Sequence, residues 1–284
     1  MTVEEPIQEH DSLLLGTEAA RNPKAPVPVY EHFLDQGYIP DVLLRLGIRY
    51  FLGNTASQFA TQPVVQTVQS QQKYIADIKS LTQIALNTKE ANEQHYEVPT
   101  AFFQTHLGPR MKYSSAFYNY ENLPSPDGTV YKAKNLAQAE IAMLDLYVQR
   151  ADIKDGMSIL ELGCGWGSLC LYLAERFPNS PVTALSNSHG QRKFINSVAA
   201  ERGLKNLTIF TGDMNEFEFS EKKEWDRIIS IEMFEHMKNY QVLFKKVSKW
   251  LVPETGRLFV HVFCHKHVAY DFKVEGEQDT WMAR

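Results

Sequence analysis

The sequence predicts an α/β fold in which a doubly wound, mostly parallel sheet follows an N-terminal helical segment. From residue 136 onward, short apolar segments alternate with amphipathic ones, which is the order of strands and helices in a parallel sheet covered on both faces. Three glycines at alternate positions stand where the first predicted strand meets the next helix, in ILELGCGWGSLCLYLAERF at 159–177. The composition, 44% hydrophobic and 22% charged, is that of an ordinary globular protein.

The residues before the sheet differ in character from those within it. Residues 1–29 are rich in Pro and Glu, which predicts disorder. Residues 30–135 are predicted to form a cap or lid, with helices between 40 and 86 and a loop region crowded with aromatic residues between 93 and 135. A membrane-surface helix in this segment is disfavoured because the expected run of lysines is absent.

The sheet domain is predicted to occupy residues 136–284. Its elements are expected to be a helix at 136–151, a strand at 157–162, a helix at 168–177, a strand at 181–186, a helix at 190–202, a strand at 207–211, a strand at 225–231, a helix at 239–251 and a strand at 257–263.

Charge and cysteine content exclude several classes of protein. A net charge of −5 and a pI of about 6.0 disfavour nucleic acid and anionic membranes as partners. Three cysteines without a spacing pattern disfavour a disulfide framework and fit a reducing compartment. Because no segment reads as a secretory signal or a membrane span, we expect a cytoplasmic protein without an integral membrane segment. A homodimer is left open.

The glycine-rich turn predicts a nucleotide or nucleoside site. Gly163 allows a tight exit from the strand, while Gly165 and Gly167 remove Cβ atoms, so that a ligand can approach the backbone and the helix can pack closely. Dinucleotide-binding turns place two residues between the last glycines. Here one residue separates them, which fits a nucleoside without a diphosphate better.

A second informative stretch, IISIEMFEHMKNY, follows the fourth predicted strand. If the chain becomes helical there, Glu232, Glu235 and His236 lie on one face. Two carboxylates and an imidazole so placed can share protons and alter one another's pKa values. A simpler interpretation is that Glu232 caps a helix and His236 packs in the core.

These motifs carry a resemblance to a known family. LELGCGWGS resembles the first motif of S-adenosylmethionine-dependent methyltransferases with a Rossmann-like class I fold, and more narrowly that of the cyclopropane-fatty-acid-synthase superfamily. The resemblance extends through ANEQHYEVPTAFF, MKYSSAFY, IEMFEHMKNY and LFVHVFCHKHVAY, over roughly residues 90–284. The last two motifs are most similar to those of plant coclaurine N-methyltransferases. The resemblance implies S-adenosylmethionine as cofactor and methyl transfer to a small, alkaloid-like amine.

The resemblance also implies which residues bind the cofactor. They are Tyr113 and Ser114, which close over it, Gly163 and Gly165 at the methionine part, Asn187 and Gln191 at the ribose, and Asp213 and Met214 at the adenine. The second strand is not followed by the acidic residue that an NAD site requires. The alternatives are a turn-forming role for Asn187 and a solvated helix position for Gln191.

Within this family an amine must lose its proton before it attacks the methyl group. We therefore expect Glu232 and Glu235 to orient the amine, His236 to act as general base, and His261 to make a further contact. A zinc site formed by His261, Cys264, His265 and His267 is disfavoured by their spacing, so no metal is expected.

Two departures from the family pattern bear on the function. The lipid-modifying members typically have Gly where this chain has Glu232, which favours an amine substrate over a lipid. They also have Cys where this chain has Ser115, which weakens the lipid alternative, but the amine enzymes usually have Cys there too, so Ser115 departs from both groups. The chain ends at DTWMAR, soon after the fifth strand, so the C-terminal strands of the fold are expected to be missing. The alternatives are a lipid methyltransferase and an inactive fragment that binds the cofactor or a partner.

Overall fold

A computed structural model describes residues 32–34, 36–60, 64–86, 99–118 and 133–264. Residues 1–29, which are predicted to be disordered, lie outside these ranges. Parts of the aromatic-rich segment and the stretch after Cys264 also lie outside them. The chain divides into two units, Met1–Gln62 and Pro63–Arg284. The described helices are α1 (Asp41–Ala60), α2 (Val64–Ser80), α3 (Thr100–His106), α4 (Leu136–Arg150), α5 (Ser168–Arg176), α6 (His189–Glu201) and α7 (Tyr240–Ser248).

The described strands form a single five-stranded sheet, and all its neighbouring pairs are parallel. The strands are β1 (Ile159–Leu162), β2 (Val182–Ser186), β3 (Leu207–Thr211), β4 (Arg227–Ile231) and β5 (Arg257–His261), in the spatial order β3-β2-β1-β4-β5. The order reverses next to β1, which is where open parallel sheets bind ligands. The predicted doubly wound α/β fold is therefore confirmed, and every predicted strand of the sheet is present.

Alternation of side chains along the strands produces one apolar core on each face of the sheet. Ile159 and Ile229 pack with α4, α5 and α6 on one face. Leu160, Leu162 and Ile228 pack with α7 on the other face. β1 and β4 are buried along their whole length, and their sequences, ILEL and RIISI, are mainly apolar, as those of central strands of a parallel sheet are.

The helices at the N-terminal side bury little. Helix α2 contains no buried residue, although its sequence is amphipathic. In the segment that follows, Ile84 and Ala85 are each 3% exposed and belong to the core on the α7 face. The short β-bridge between Ala85 and Met237 joins this segment to the chain beyond β4. Residues 81–85 are thus part of the framework around the carboxyl edge of the sheet.

Candidate active site

The glycine turn between β1 and α5 has the backbone conformation that glycine favours. Gly163, Gly165 and Gly167 have φ angles of 77°, 51° and 83°. A Cβ on Gly167 would lie 2.7 Å from Cγ1 of Ile195, so this glycine lets α5 begin against α6. A Cβ on Gly165 would meet nothing within 4 Å. The turn therefore presents bare backbone to open space at Gly165.

A cavity lies at this turn, on the carboxyl edge of the sheet. It brings together Tyr113, Ser114, Gly163, Gly165 and Glu232, which the sequence had singled out separately. Its remaining lining residues are Met111, Lys112, Leu144, Glu161, Cys164, Trp166, Ser168, Leu169 and Ile231.

Several polar atoms on the cavity wall are buried without a hydrogen-bond partner among the described residues. They are Oε2 of Glu161, Nε1 of Trp166 and Oγ of Ser168. Glu161 is 3% exposed, and burial raises the pKa of its carboxyl group to about 7, against the effect of the nearby Lys112 charge. Because buried polar groups are normally paired, these atoms indicate that the cavity receives a polar ligand.

Lys112 is a buried cation beside Glu161. Its side chain donates to Oγ of Ser114 and, over 3.3 Å, to Oη of Tyr147. Burial lowers the pKa of Lys112 to about 8, although the charges of Glu232, Glu161 and Glu140 act in the opposite direction. Lys112 thus ties the segment that carries Tyr113 and Ser114 to α4.

Tyr113 stands at the exposed side of the cavity, with 54% of its surface accessible. Its ring lies 5.4 Å from that of Phe103, which in turn lies 4.8 Å from the ring of Trp166. Phe103 is buried in α3, so the aromatic contacts connect Tyr113 to the glycine turn through a fixed side chain.

Glu232 follows β4 directly and has an unusual backbone. Its φ of 51° lies in the left-handed region, which costs a residue with a Cβ about 1 kcal/mol or more. Its N–H donates to the carbonyl of His261 at 2.8 Å, and its Oε1 accepts from the N–H of Ser115 at 2.9 Å. Contacts with two other parts of the chain therefore hold the Glu232 carboxylate at the cavity.

The chain does not become helical at Glu232, so the condition for a shared helical face is not met. Beyond Met233 the chain forms only one 3₁₀ turn, Phe234–His236, and α7 begins later, with Asn239 as its cap. Glu232 therefore neither shares a helical face with Glu235 and His236 nor caps a helix. A left-handed residue ends the strand instead, because tertiary hydrogen bonds override the local spacing.

Glu235 and His236 face different environments. Both carboxylate oxygens of Glu235 are buried without a hydrogen-bond partner in the described part of the chain. Burial raises the pKa of Glu235, against the effect of the nearby Phe263 amide. His236 is exposed, so it does not pack in the core. Neither side chain lines the cavity described above.

The four residues expected at the nucleoside lie along the same sheet edge, but outside the cavity lining. Asn187 is exposed after β2, and Asp213 is half-buried after β3. Met214 is buried in the core on the α7 face. Gln191 is 1% exposed, which excludes the solvated position; its Oε1 accepts from Ser186 Oγ at 2.7 Å, and its Nε2 has no partner among the described residues.

His261 ends β5 and is joined to the cavity wall through Tyr147. The Oη of Tyr147 lies 2.7 Å from Nδ1 of His261. Burial lowers the pKa of this imidazole, as do Lys112 and Arg150, whereas the charge of Glu232 acts in the opposite direction. His265 and His267 of the disfavoured zinc set lie outside the described residues.

The described residues show no sign of two other features. They contain no group of three or more His, Cys, Asp or Glu side chains that could hold a metal ion. None of their helices combines the length and apolar character required to cross a bilayer.

Comparison with known proteins identifies the family. Residues 85–284 match the family model described as mycolic acid cyclopropane synthetase. The chain belongs to this family. The predicted resemblance to the cyclopropane-fatty-acid-synthase superfamily is therefore confirmed.

Individual members of the family act on different kinds of molecule. The chain is 35% identical over 252 residues to (S)-coclaurine N-methyltransferase of Thalictrum flavum subsp. glaucum, which covers 87% of this chain and 64% of the relative. It is 31% identical over 194 residues to cyclopropane-fatty-acyl-phospholipid synthase of Escherichia coli K12, which covers 67% of this chain and 43% of the relative. The chain thus spans less than two thirds of the length of either relative.

A solved structure extends the likeness to three dimensions. Coclaurine N-methyltransferase bound to N-methylheliamine and SAH superposes with a TM-score of 0.75 at 33% identity, over 87% of this chain and 67% of that one. The Rossmann-like class I fold that the sequence predicted is confirmed by this likeness and by the parallel sheet.

Sequence reasoning missed two residues that line the cavity, and it missed Tyr147, which Lys112 contacts. Glu161 is a carboxylate in the middle of an apolar strand, and Lys112 directly precedes the Tyr113–Ser114 pair. Each is a charged residue in a buried context, which is the signal that could have found them. Tyr147 offered no such signal, because it occupies an ordinary apolar position of α4.

Proposed function

We propose that this chain is a S-adenosylmethionine-dependent N-methyltransferase that acts on a small, alkaloid-like amine. The observation that carries the proposal is Glu232, a charged side chain at the cavity on a backbone that suits glycine. Strain of this kind persists where the surrounding structure fixes it, and it concentrates at functional sites. A carboxylate in this place attracts a cationic amine and accepts its proton.

The cavity fits the cofactor chemically. S-adenosylmethionine would supply a methyl group activated by a positively charged sulfur. Glu161, with its unpartnered Oε2, and the bare backbone at Gly165 suit the charged amino-acid part of the cofactor, and Gly163 lines the same cavity. The face of the Tyr113 ring suits a sulfonium cation, and Ser114 lies beside it.

The nucleoside part of the cofactor is assigned to the neighbouring strand ends. Asn187 and Gln191 follow β2, and the unpartnered Nε2 of Gln191 can donate to a ribose oxygen. Asp213 and Met214 follow β3, where a carboxylate and a thioether suit the adenine amino group and ring. All four lie on the sheet edge that carries the glycine turn.

The acidic residues after β4 would prepare the amine. Glu232 holds the substrate nitrogen and takes up its proton, because an amine attacks only as the free base. Glu235, whose buried carboxylate has no partner in the described residues, is a second acceptor, and His236 provides the base that passes the proton to solvent. Precise alignment of the partners supplies much of the remaining rate enhancement.

The named relatives support an amine rather than a lipid substrate. The coclaurine N-methyltransferase of Thalictrum is 35% identical to this chain, and the Escherichia coli lipid enzyme is 31% identical. The three free cysteines are consistent with the predicted cytoplasmic location.

The experiment measures cofactor binding and methyl transfer separately. Calorimetric titration of the full chain with S-adenosylmethionine is expected to show binding at one site. Transfer of radiolabelled methyl groups is then assayed with a panel of isoquinoline amines and, in parallel, with phospholipid vesicles. Label in an amine supports the proposal, whereas label in lipid alone, or cofactor binding without transfer to any substrate, overturns it.

A substitution tests the role of Glu232. Glu232→Gln keeps the shape of the side chain but cannot take up a proton, so amine methylation should fall by 10²–10⁴-fold, the range for general bases, while cofactor affinity stays the same. Glu254→Gln is the matched control, because Glu254 also has a positive φ and is exposed away from the cavity. Equal loss of methylation and cofactor binding in Glu232→Gln would make the residue structural.

A further inference from the structure

We propose that Lys112 and Tyr147 hold His261 as a neutral imidazole with its proton on Nε2, so that His261 is a hydrogen-bond donor and not a base. The role in the reaction rests on the function proposed above, whereas the position of the proton does not depend on it. Lys112 and Tyr147 would then be positioning residues that act through His261.

The direction of the hydrogen bonds follows from what each group can donate. A lysine ammonium group only donates, so the 3.3 Å contact between Lys112 and Tyr147 makes the phenol oxygen an acceptor. A phenol hydroxyl can accept a hydrogen bond and carries a single proton that it can donate.

Tyr147 is buried and Lys112 cannot accept, so we assign the single phenol proton to the other hydrogen-bond partner of this hydroxyl group. That partner is Nδ1 of His261, which lies 2.7 Å from Oη of Tyr147, an ordinary distance for a bond from a hydroxyl group. A ring nitrogen that accepts carries no proton, so the proton of the neutral imidazole is on Nε2. The second nitrogen of His261 is then a donor.

The charges around His261 agree with a neutral ring. Burial is the largest influence, and it lowers the pKa of His261. The cations Lys112 and Arg150 act in the same direction, while Glu232 opposes them. Burial and the Glu232 charge raise the pKa of Tyr147, so its hydroxyl keeps its proton and remains a donor.

The consequence for the reaction is a division of labour at the carboxyl edge. The backbone carbonyl of His261 fixes the N–H of Glu232 at 2.8 Å, so ring and carboxylate belong to one rigid corner. A donor on this corner can hold an oxygen atom of the substrate or an anionic carboxylate. Removal of the amine proton is then carried out by the acidic residues that follow β4.

Nuclear magnetic resonance tests the proton position directly. The full chain is labelled with ¹⁵N-histidine, and long-range ¹H–¹⁵N spectra are recorded from pH 5 to 9, with His261→Gln used to assign the signals. We expect a protonated Nε2 and an accepting Nδ1 at pH 7. A proton on Nδ1, or a doubly protonated ring at that pH, would overturn the proposal.

Variants test what sets that position. Tyr147→Phe removes the donor to the neutral ring and should raise the pKa of His261 by roughly one pH unit, the equivalent of one hydrogen bond. Lys112→Met should also raise it, because a nearby cation is lost, and this variant decides the question if Tyr147→Phe does not fold. Tyr172→Phe, which removes a hydroxyl bound to Asp145, should leave it unchanged. An unchanged pKa in both test variants contradicts the proposal.

Kinetics separate a donor from a base. Glutamine can replace the Nε2–H donor but cannot act as a base, so His261→Gln should keep methylation within about threefold, and His261→Leu should lose about tenfold. If His261 were the base, both variants would lose 10²–10⁴-fold. If the wild-type chain methylates no amine, the proposed function fails, but the spectra still decide the proton position.

Discussion

The turns that follow β1 and β4 perform the same structural task with opposite kinds of residue. Both end a central strand at the carboxyl edge, and both need a left-handed backbone. After β1 the chain provides this with glycine at Gly163, Gly165 and Gly167, whereas after β4 it provides it with Glu232. Glycine favours the left-handed backbone of the first turn, whereas a residue with a Cβ, such as Glu232, disfavours that backbone in the second turn.

The contacts around the two turns explain the difference. The glycine turn is closed mainly by neighbouring backbone, with the N–H groups of Gly163 and Cys164 donating to the carbonyl of Leu185. The turn after β4, which begins at Glu232 and is called the acidic turn below, is held by contacts with His261, Ser115 and the segment at residues 81–85. A turn whose residue disfavours the left-handed backbone needs more tertiary contacts to hold it. Here those contacts place a charged group at the cavity.

The largest effect should come from changing Glu232 to glycine. Glu232→Gly relieves the backbone but removes the carboxylate, so amine methylation should fall by 10²–10⁴-fold, while the free energy of unfolding rises by up to about 1 kcal/mol. Urea unfolding and initial rates measure the two quantities. Glu254→Gly is the control, since Glu254 has a φ of 65° in an exposed turn and should gain stability without losing activity.

This prediction separates strain from function at the second turn. If Glu232→Gly loses stability by more than about 1 kcal/mol, the carboxylate has a structural task, and the comparison of the two turns fails.

A smaller effect is expected at the glycine turn. Gly167→Ala adds a Cβ 2.7 Å from Cγ1 of Ile195 on a left-handed backbone, so the free energy of unfolding should fall by roughly 3 kcal/mol. Gly203→Ala meets nothing within 4 Å at a φ of 69°, and it should cost only about 1 kcal/mol. Equal losses in the two variants would show that α5 does not depend on close packing against α6.

The smallest effect concerns the support of the acidic turn. Asn239 caps α7 by accepting from Val242 N–H at 3.0 Å, and its side chain also donates to the carbonyl of Leu81. Asn239→Ala should therefore cost about 2 kcal/mol, more than the usual cap of about 1 kcal/mol. Asn135→Ala, which removes only a cap on α4, is the comparison.

Thermal or urea unfolding of both asparagine variants gives the result. A loss in Asn239→Ala no greater than that in Asn135→Ala would mean that the Leu81 contact adds nothing to the support of the acidic turn.

The fold could be predicted from the sequence because its signals are local. Apolar runs for β1 and β4, amphipathic helices and the glycine spacing all depend on residues close together in the chain, and the predicted strands agree with those observed to within two residues. The resemblance to family motifs also predicted the type of fold and indicated which residues lie at the carboxyl edge of the sheet.

The arrangement of the site depended on the tertiary structure. The sequence by itself determined that Gly163, Gly165 and the acidic residues after β4 belong to one edge of a parallel sheet, since strand ends must meet there. The placement of Tyr113 at the cofactor came from the family resemblance. Only the folded chain decided that Glu232 takes a left-handed backbone and not a helical one, and that Tyr147 joins Lys112 to His261. Those outcomes depend on hydrogen bonds between residues far apart in the chain, and the local spacing of residue types does not predict such bonds.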